Sequence, residues 1–519
     1  MLVFETILLM LAAAVLLLRV SQQWHLPYPV LLAITGAAVA LAPINVHLQL
    51  DPALVLTLFV SPVLLDAAYD TSLRDLKRNW GPVMSLVLIA VGLTTAAVAT
   101  VIHLLVPGIP WAAAIAIGAI VAPPDAVAAT TVLRDVKLPH RVAVILEGEA
   151  LLNDASALLI YRLAVAAVLA GGSVGAEVIA PTFLLSLLGS VVAGPVLAWI
   201  VGRATRQIDD APSSIILQFI STFGVWVIAE RVGLSPILTV VAYAMTLART
   251  SPAHSPAYLR IPSYAVWDTA VVVLNVLAFL LIGLELGPVI AAAPSGNLDH
   301  WAIVGGSVLA TAILVRIGWT LVAASWSGWR RRRRGIQALA DGPLPNWRTG
   351  LLIGWAGTRG LVTVATALAL PSNFPERGML LFVAFTVTLG TLLLQGLTLR
   401  PLVLMLGLGD DDPVNREVRE ARVATAEAAL SAFRGETVDG VQALRVELES
   451  EREIAASAQE GDGRPTFPEK ALRAKALVAR RQRLHEMRRE GAIGDAAFHR
   501  IEEELDLADL AVATRLSSK

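Results

Sequence analysis

Cysteine is absent from the 519 residues, which excludes disulfides and every cysteine-ligated metal centre. Charge is scarce: Asp, Glu, Lys and Arg together make up 16% of the chain, where an ordinary soluble domain carries about 25%. The formal net charge is −1, so no basic excess points to a nucleic-acid partner. No HExxH or P-loop motif directs the reading toward a metalloprotease or an NTPase, and the chain is not expected to be an enzyme.

Apolar sequence dominates instead, at 56% of residues. Apolar runs lie near 4–20, 27–44, 52–69, 81–105, 110–133, 140–170, 178–202, 212–230, 234–249, 264–286, 300–327, 349–371 and 379–407. They predict an all-α polytopic membrane protein with roughly 13 spans, each near the about 17–25 residues a bilayer requires. The first run, Leu2 to Val20, has no basic start and no small-residue cleavage site before Gln22, and reads as a retained span.

Basic residues gather in or beside alternate loops: Arg19, then Arg74 to Arg78, Arg134 to Arg141, Arg203 and Arg206, Arg249 and Arg260, and Arg330 to Arg334 with Arg348. The intervening loops hold only Arg231 and Arg377. The basic side faces the cytoplasm, so the N-terminus is expected outside and the C-terminus inside. The run Arg330 to Arg334 is first a topology signal and second a place for lipid headgroups. The expected division is a membrane domain, 1–408, and a cytoplasmic tail, 409–519. The tail is rich in Glu, Arg and Ala. Helices are expected over 416–433, 438–459 and 469–489, with a helical hairpin over 488–509 turning at Gly491. It is a solvated, regulatory or dimerising element.

A charge at the bilayer centre costs at least about 2.5–3.5 kcal/mol, so the charged residues inside apolar runs need partners or a task. They are Asp66, Asp125, Glu147, Glu149, Asp154, Arg162, Glu285, Arg316 and Arg359. Arg162 and Glu285 lie near span ends and reach the interface. Asp66, near the cytoplasmic end of span three, lines an aqueous entrance or snorkels.

Span five contains GAIVAPPDAVAATT, Gly118 to Thr131. Paired prolines break the backbone ladder. Broken backbone persists in a membrane only where it is buried in protein or lines a cavity. Asp125 directly follows the break, where freed carbonyls and half-helix ends would hold a cation. Thr130 and Thr131 are auxiliary oxygen donors. The bland alternative is a kink with a hydrated Asp. Span six contains EGEALLNDASALLIY, Glu147 to Tyr161. Its carboxylates, Glu147, Glu149 and Asp154, cannot all stay ionised in a dry site; a proton or a cation must neutralise the excess. Asp154 lies deepest, with Asn153 beside it. Span twelve contains Arg359 amid small residues that permit close helix approach. Its guanidinium wants a carboxylate, with Glu149 the first choice and Glu147 the second. Arg316, in span eleven, is expected to be structural, pairing with Asp268 or Glu285 or leaning toward a helix C-terminus.

These motifs together resemble the monovalent cation:proton antiporter family, in its electroneutral sodium/proton exchanger branch. The resemblance covers roughly 5–407 and rests on PPDAVAA at Pro123 to Ala129, GEALLNDAS at Gly148 to Ser156, FLLIGLEL at Phe279 to Leu286 and GTRGLVTVA at Gly357 to Ala365. The tail sequence from Met487 resembles bacterial members as well. The resemblance implies an inverted-repeat fold with two broken crossing helices, a homodimer in the cell membrane, and alternating access. It also implies one-for-one exchange of Na⁺, or K⁺ or Li⁺, for H⁺ in pH and sodium homeostasis, with no cofactor beyond the transported ion. Asp154 resembles the essential ion- and proton-binding aspartate, Asn153 its neutral neighbour and Asp125 the acid of the crossing helix, while Glu149 and Arg359 resemble a structural ion pair. Two positions depart from the family pattern. Pro124 stands where a hydroxyl or carbonyl ligand often precedes the aspartate, and Ala150 stands where some members have Ser. The alternatives from other classes are a cation channel and an intramembrane aspartyl protease using Asp70 and Asp410; the latter two aspartates sit at span ends.

Overall fold

The computed structural model describes residues 2–408 except 25, 42–50, 126–137, 171–175, 251–256, 292–297, 334–337, 340–341 and 344; beyond 408 it describes scattered positions between 423 and 507. The chain divides into two compact units, Met1–Asp411 and Asp412–Lys519. The tail helices expected from the sequence, with Gly409 and Asp410, fall almost wholly outside the described residues.

Among its described residues the first unit consists of helices and the segments joining them, with one two-residue antiparallel ladder pairing Ala338 with Pro343 and Leu339 with Gly342. In chain order its helices are α1 (Leu2–Trp24), α2 (Tyr28–Leu41), α3 (Pro52–Asp70), α4 (Leu73–Arg78), α5 (Trp80–Leu105) and α6 (Trp111–Val121). There follow α7 (His140–Leu169), α8 (Ala176–Thr205), α9 (Ala211–Arg231), α10 (Pro236–Thr250), α11 (Ala257–Leu284) and α12 (Leu286–Ala291). The last are α13 (Leu298–Arg333), α14 (Trp347–Trp355), α15 (Leu361–Leu368) and α16 (Arg377–Leu406). Among the described residues, eight helices are long and apolar enough to cross a membrane, and four shorter apolar helices accompany them.

Local chemistry sets where these helices begin. Asp51 caps α3 by accepting from the Ala53 N–H at 2.8 Å, with Pro52 in the first turn. Asp210 caps α9 through the Ser213 N–H, also at 2.8 Å. Asn346 and Thr349 form a reciprocal capping box at the start of α14. Pro62 removes a donor from the middle of α3, and the helix widens to a π turn over Leu56–Val60 just before it. Between α9 and α10 the chain turns at Gly233, whose φ of +78° suits glycine.

Two features position the interior. First, α2 and α11 cross at glycines: a Cβ on Gly36 would collide with the Leu280 carbonyl, and one on Gly283 with the Ala33 carbonyl. Without those side chains the backbones meet directly. Second, α6 is buried all round from Ala113 to Val121, excepting only Ile115. A helix apolar on every face belongs inside a bundle. Its 11 residues extend about 17 Å, roughly half of the about 30 Å hydrocarbon layer. The segment that follows, Ala122 to Asp125, is not helical.

Within the described residues, the expected fifth span, 110–133, is a helix that stops at Val121, just before the prolines; 126–133 fall outside the described residues. The twelfth, 349–371, is two pieces, α14 and α15, separated by the non-helical Ala356 to Gly360.

Candidate functional site

The two breaks meet. The Asp125 N–H donates to the Thr358 carbonyl at 2.6 Å, so the non-helical segment after α6 lies on that between α14 and α15. Gly360 makes room for this: a Cβ there would overlap the Asp125 carboxylate.

Arg359 binds the junction together. Its Nε donates to the Val121 carbonyl at 2.9 Å and its Nη2 to the Ala122 carbonyl at 3.4 Å, while Nη1 donates to the Gly357 carbonyl. Its backbone N–H donates to Thr391 Oγ1 of α16 at 3.0 Å. The final carbonyls of a helix lack intrahelical partners and carry its negative dipole end. A fully buried guanidinium placed there satisfies them, and they in turn offset its charge.

This corrects the expectation that Arg359 pairs with Glu149. Glu149 is held by Arg316 of α13, Nη1 to Oε1 at 2.5 Å and Nη2 to Oε2 at 2.8 Å, and Arg316 also donates to the Ile353 carbonyl at 3.2 Å. The expected partners of Arg316, Asp268 and Glu285, are displaced by this bidentate contact, whose geometry matches a planar guanidinium to a carboxylate. Both side chains are at most 2% exposed. Gly357 permits the approach, because a Cβ there would overlap the Arg316 side chain.

From α7, Glu149, Asn153 and Asp154 are all buried; Glu149 and Asn153, four apart, share a face, and Asp154 lies on the neighbouring strip of the helix. Asn153 Nδ2 donates to the Pro124 carbonyl at 3.0 Å, tying α7 to the break in span five. Thus Pro124, which has no hydroxyl to offer, contributes its carbonyl to Asn153. Asp154 lies within the electrostatic reach of both Asp125 and Glu149. Two buried oxygens near these links have no hydrogen-bond partner among the described residues: Asn153 Oδ1 and Thr358 Oγ1.

Other sequence candidates lie elsewhere. Glu147 is exposed, although Leu146 before it and Gly148 to Ala150 after it are buried. Thr130 and Thr131 fall outside the described residues. Asp66 lines a separate cavity of about 540 Å³ between α3, α8, α9, α10 and α11, with Asp70, Asp209 and Asp268. Gln218 organises one wall of it, accepting from Ser263 Oγ and Trp267 Nε1, each at 2.7 Å. Asp125, Asn153 and Asp154 are not part of its lining. Thr358 was missed in the sequence; its only signal is its place beside Arg359 in the GTRG motif.

The family model described as "Sodium/hydrogen exchanger, transmembrane" matches residues 7–405. The chain is 29% identical to the Na(+)/H(+) exchanger YjcE of Escherichia coli K12, with 98% of each protein covered. It is 30% identical to the sodium, potassium, lithium and rubidium/H(+) antiporter of Bacillus subtilis, covering 72% of this chain and 57% of that one. In fold it is similar to the sodium proton antiporter MjNhaP1 of Methanocaldococcus jannaschii, with a TM-score of 0.57 at 18% identity, over 78% of this chain and 99% of that chain.

Proposed function

The chain belongs to the sodium/hydrogen exchanger family, and on that premise we propose that it exchanges one monovalent cation for one H⁺ at the junction of its two helix breaks, with Asp154 carrying each in turn. Na⁺ is the leading cation, and K⁺ and Li⁺ are the others the site would take. The protein is a secondary antiporter.

A balance of charge carries this reading. The junction gathers three carboxylates, Glu149, Asp125 and Asp154, and two guanidinium groups, Arg316 and Arg359. Fully ionised, the set is one negative charge in excess. Isolated charge is expensive in a buried site, so the set is most stable with one added positive charge. A proton on Asp154 supplies it, and so does a monovalent cation beside Asp154. The two compete for the same carboxylate, and that competition couples their movement. Exchanging one for the other leaves the charge of the site unchanged, so a full cycle moves no net charge.

The neighbours have distinct parts. Asn153 stands beside Asp154 without adding a second negative charge, and its Oδ1 supports an oxygen shell, as does Thr358 Oγ1. Asp125 supplies negative potential at the break. Glu149 with Arg316, and Arg359 with the end of α6, hold the helices in register. The junction opens to one side of the cell membrane and then to the other. Protons enter down their gradient and a cytoplasmic cation leaves, which serves pH and sodium homeostasis. The loop charges support an external N-terminus and a cytoplasmic tail, and the family supports a homodimer.

The test is exchange in proteoliposomes. Adding Na⁺ outside is expected to alkalinise an acid-loaded lumen, with K⁺ and Li⁺ ranked beside it, and Asp154→Asn should abolish the signal. Exchange that persists in Asp154→Asn would remove Asp154 from the mechanism.

A further inference from the structure

A second cavity, of about 620 Å³, lies on the outer side of the helices that carry the junction, between α5, α7, α13 and α14. Its volume is in the about 300–1,000 Å³ range of small-molecule sites. Three properties point to its occupant.

The walls are apolar and the mouth faces lipid. Leu86, Val142, Ile145 and Ile353 line the interior, and Trp319 closes one side, pinned by its Nε1 donating to Ser85 Oγ at 3.1 Å. Val322 and Trp326, on the lining of the same cavity, are 60% and 62% exposed. On a membrane-spanning helix, apolar side chains this exposed face acyl chains.

One end is basic. Arg330 and Arg331, in the last turn of α13, line it, and so does Arg141, whose Nε donates to Asn79 Oδ1 at 2.9 Å. The start of α14, at Asn346 and Thr349, adds the positive end of a helix dipole. Among the described residues no Asp or Glu lines this cavity, whereas four aspartates line the cavity containing Asp66.

The basic end sits at interfacial depth. Trp326 and Trp329 pack at 5.7 Å, and Arg333 stacks over the Trp329 ring at 4.0 Å. Tryptophan with arginine is the usual composition of a span end at the headgroup level.

We propose that this groove is a binding site for an anionic phospholipid, with the phosphate against Arg330 and Arg331 and one acyl chain along Ile145 and Trp319. The site backs directly onto the buried ion pair. Ile145 is one turn from Glu149, Trp319 is one turn from Arg316, and the Ile353 carbonyl accepts from Arg316. A lipid in the groove therefore braces the helices that hold the junction. The site stands whether or not Asp154 carries the ion.

The test uses the purified full-length protein, incubated in mild detergent with equal amounts of phosphatidylglycerol and phosphatidylcholine, with retained lipid counted by native mass spectrometry. Phosphatidylglycerol is expected to be retained in clear preference. Arg330→Gln/Arg331→Gln should reduce that retention by about fivefold for each arginine. Arg332→Gln/Arg333→Gln removes the same charge from the same run, at positions that do not line the groove, and should leave retention near wild type. Ala323→Phe, which fills the groove with every arginine in place, should also lose the lipid. Equal retention of the two lipids would overturn the proposal. So would equal losses in the two double variants, which would mean diffuse attraction, or undiminished retention in Ala323→Phe.

Discussion

Arg316 holds Glu149 through two parallel hydrogen bonds, of 2.5 and 2.8 Å, joining α13 to α7 across 167 positions of sequence. Because both residues are buried, the pair acts as a fixed neutral unit. Asp125, Asp154 and Arg359 then determine the remaining charge of the junction.

Breaking that pair on one side leaves an unpaired buried charge, at a cost of about 3–5 kcal/mol. Glu149→Gln and Arg316→Gln are each expected to lower the thermal unfolding temperature sharply. The double variant should lose clearly less than the sum of the two. A thermal double-mutant cycle on the purified protein checks this; additive losses would mean that the pair contributes no coupling.

Gly360→Ala places a methyl group where the Asp125 carboxylate lies. The methyl must displace either Asp125 or the break around Thr358. Exchange is expected to fall by at least about tenfold, since misplacement of about 1 Å at a reacting group costs about 100-fold. Gly306→Ala, at a position where a Cβ meets nothing within 4 Å, should retain near wild-type exchange. Initial rates in proteoliposomes compare the two.

Much of this junction was legible before the structure, and what was hidden has physical reasons. Pro123 and Pro124 announce a break because proline cannot donate to the helical ladder. Asp125 and Asp154 stand out because a membrane penalises charge. The break at Ala356 to Gly360 is not located by the sequence: the family resemblance implies a second broken helix without placing it, because glycine in an apolar run is common in membrane helices and marks no definite stop. The partners of the arginines were misassigned for two reasons. A carboxylate partner depends on how distant helices pack, which residue types do not encode. The carbonyls that receive Arg359 belong to the backbone, so no side chain advertises them. The lipid groove escaped notice too, since its walls are ordinary apolar residues from four separate helices.

Outside the membrane, Asp75 in α4 is buried, which alone would push its carboxyl up. Its contacts with Ser72 and His140 and the nearby Arg74 charge outweigh burial and hold it below the usual carboxylate range. A carboxyl with a depressed folded-state pKa stabilises the fold above its unfolded value of about 3.9. That contribution is lost as pH falls through the lower folded-state value. Asp75→Asn is expected to lower the unfolding temperature by about 1–2 °C at pH 7. The gap to wild type should close as pH falls below about 3.9. Thermal melts across pH, with the gap unchanged at low pH, would contradict this role.

One-for-one exchange at a site of constant charge carries no current. The initial rate of Na⁺-driven H⁺ movement is therefore expected to be the same at 0 mV and at an imposed potential of about 100 mV, although that potential is worth about 2.3 kcal/mol for each net charge moved. Proteoliposomes whose potential is set by a gradient of a permeant anion such as thiocyanate, with no gradient of K⁺ or Li⁺, provide the measurement.

Counting the protons released when Na⁺ binds tests the central claim most directly. Purified protein in weakly buffered detergent solution is titrated with Na⁺ near the midpoint of its proton binding, and both ions are followed at once. At saturation, the fraction of sites that held a proton should release one proton each, and Asp154→Asn should release none. Sodium binding to wild type with no proton release, or release that survives in Asp154→Asn, would contradict a single carboxylate shared by the two ions.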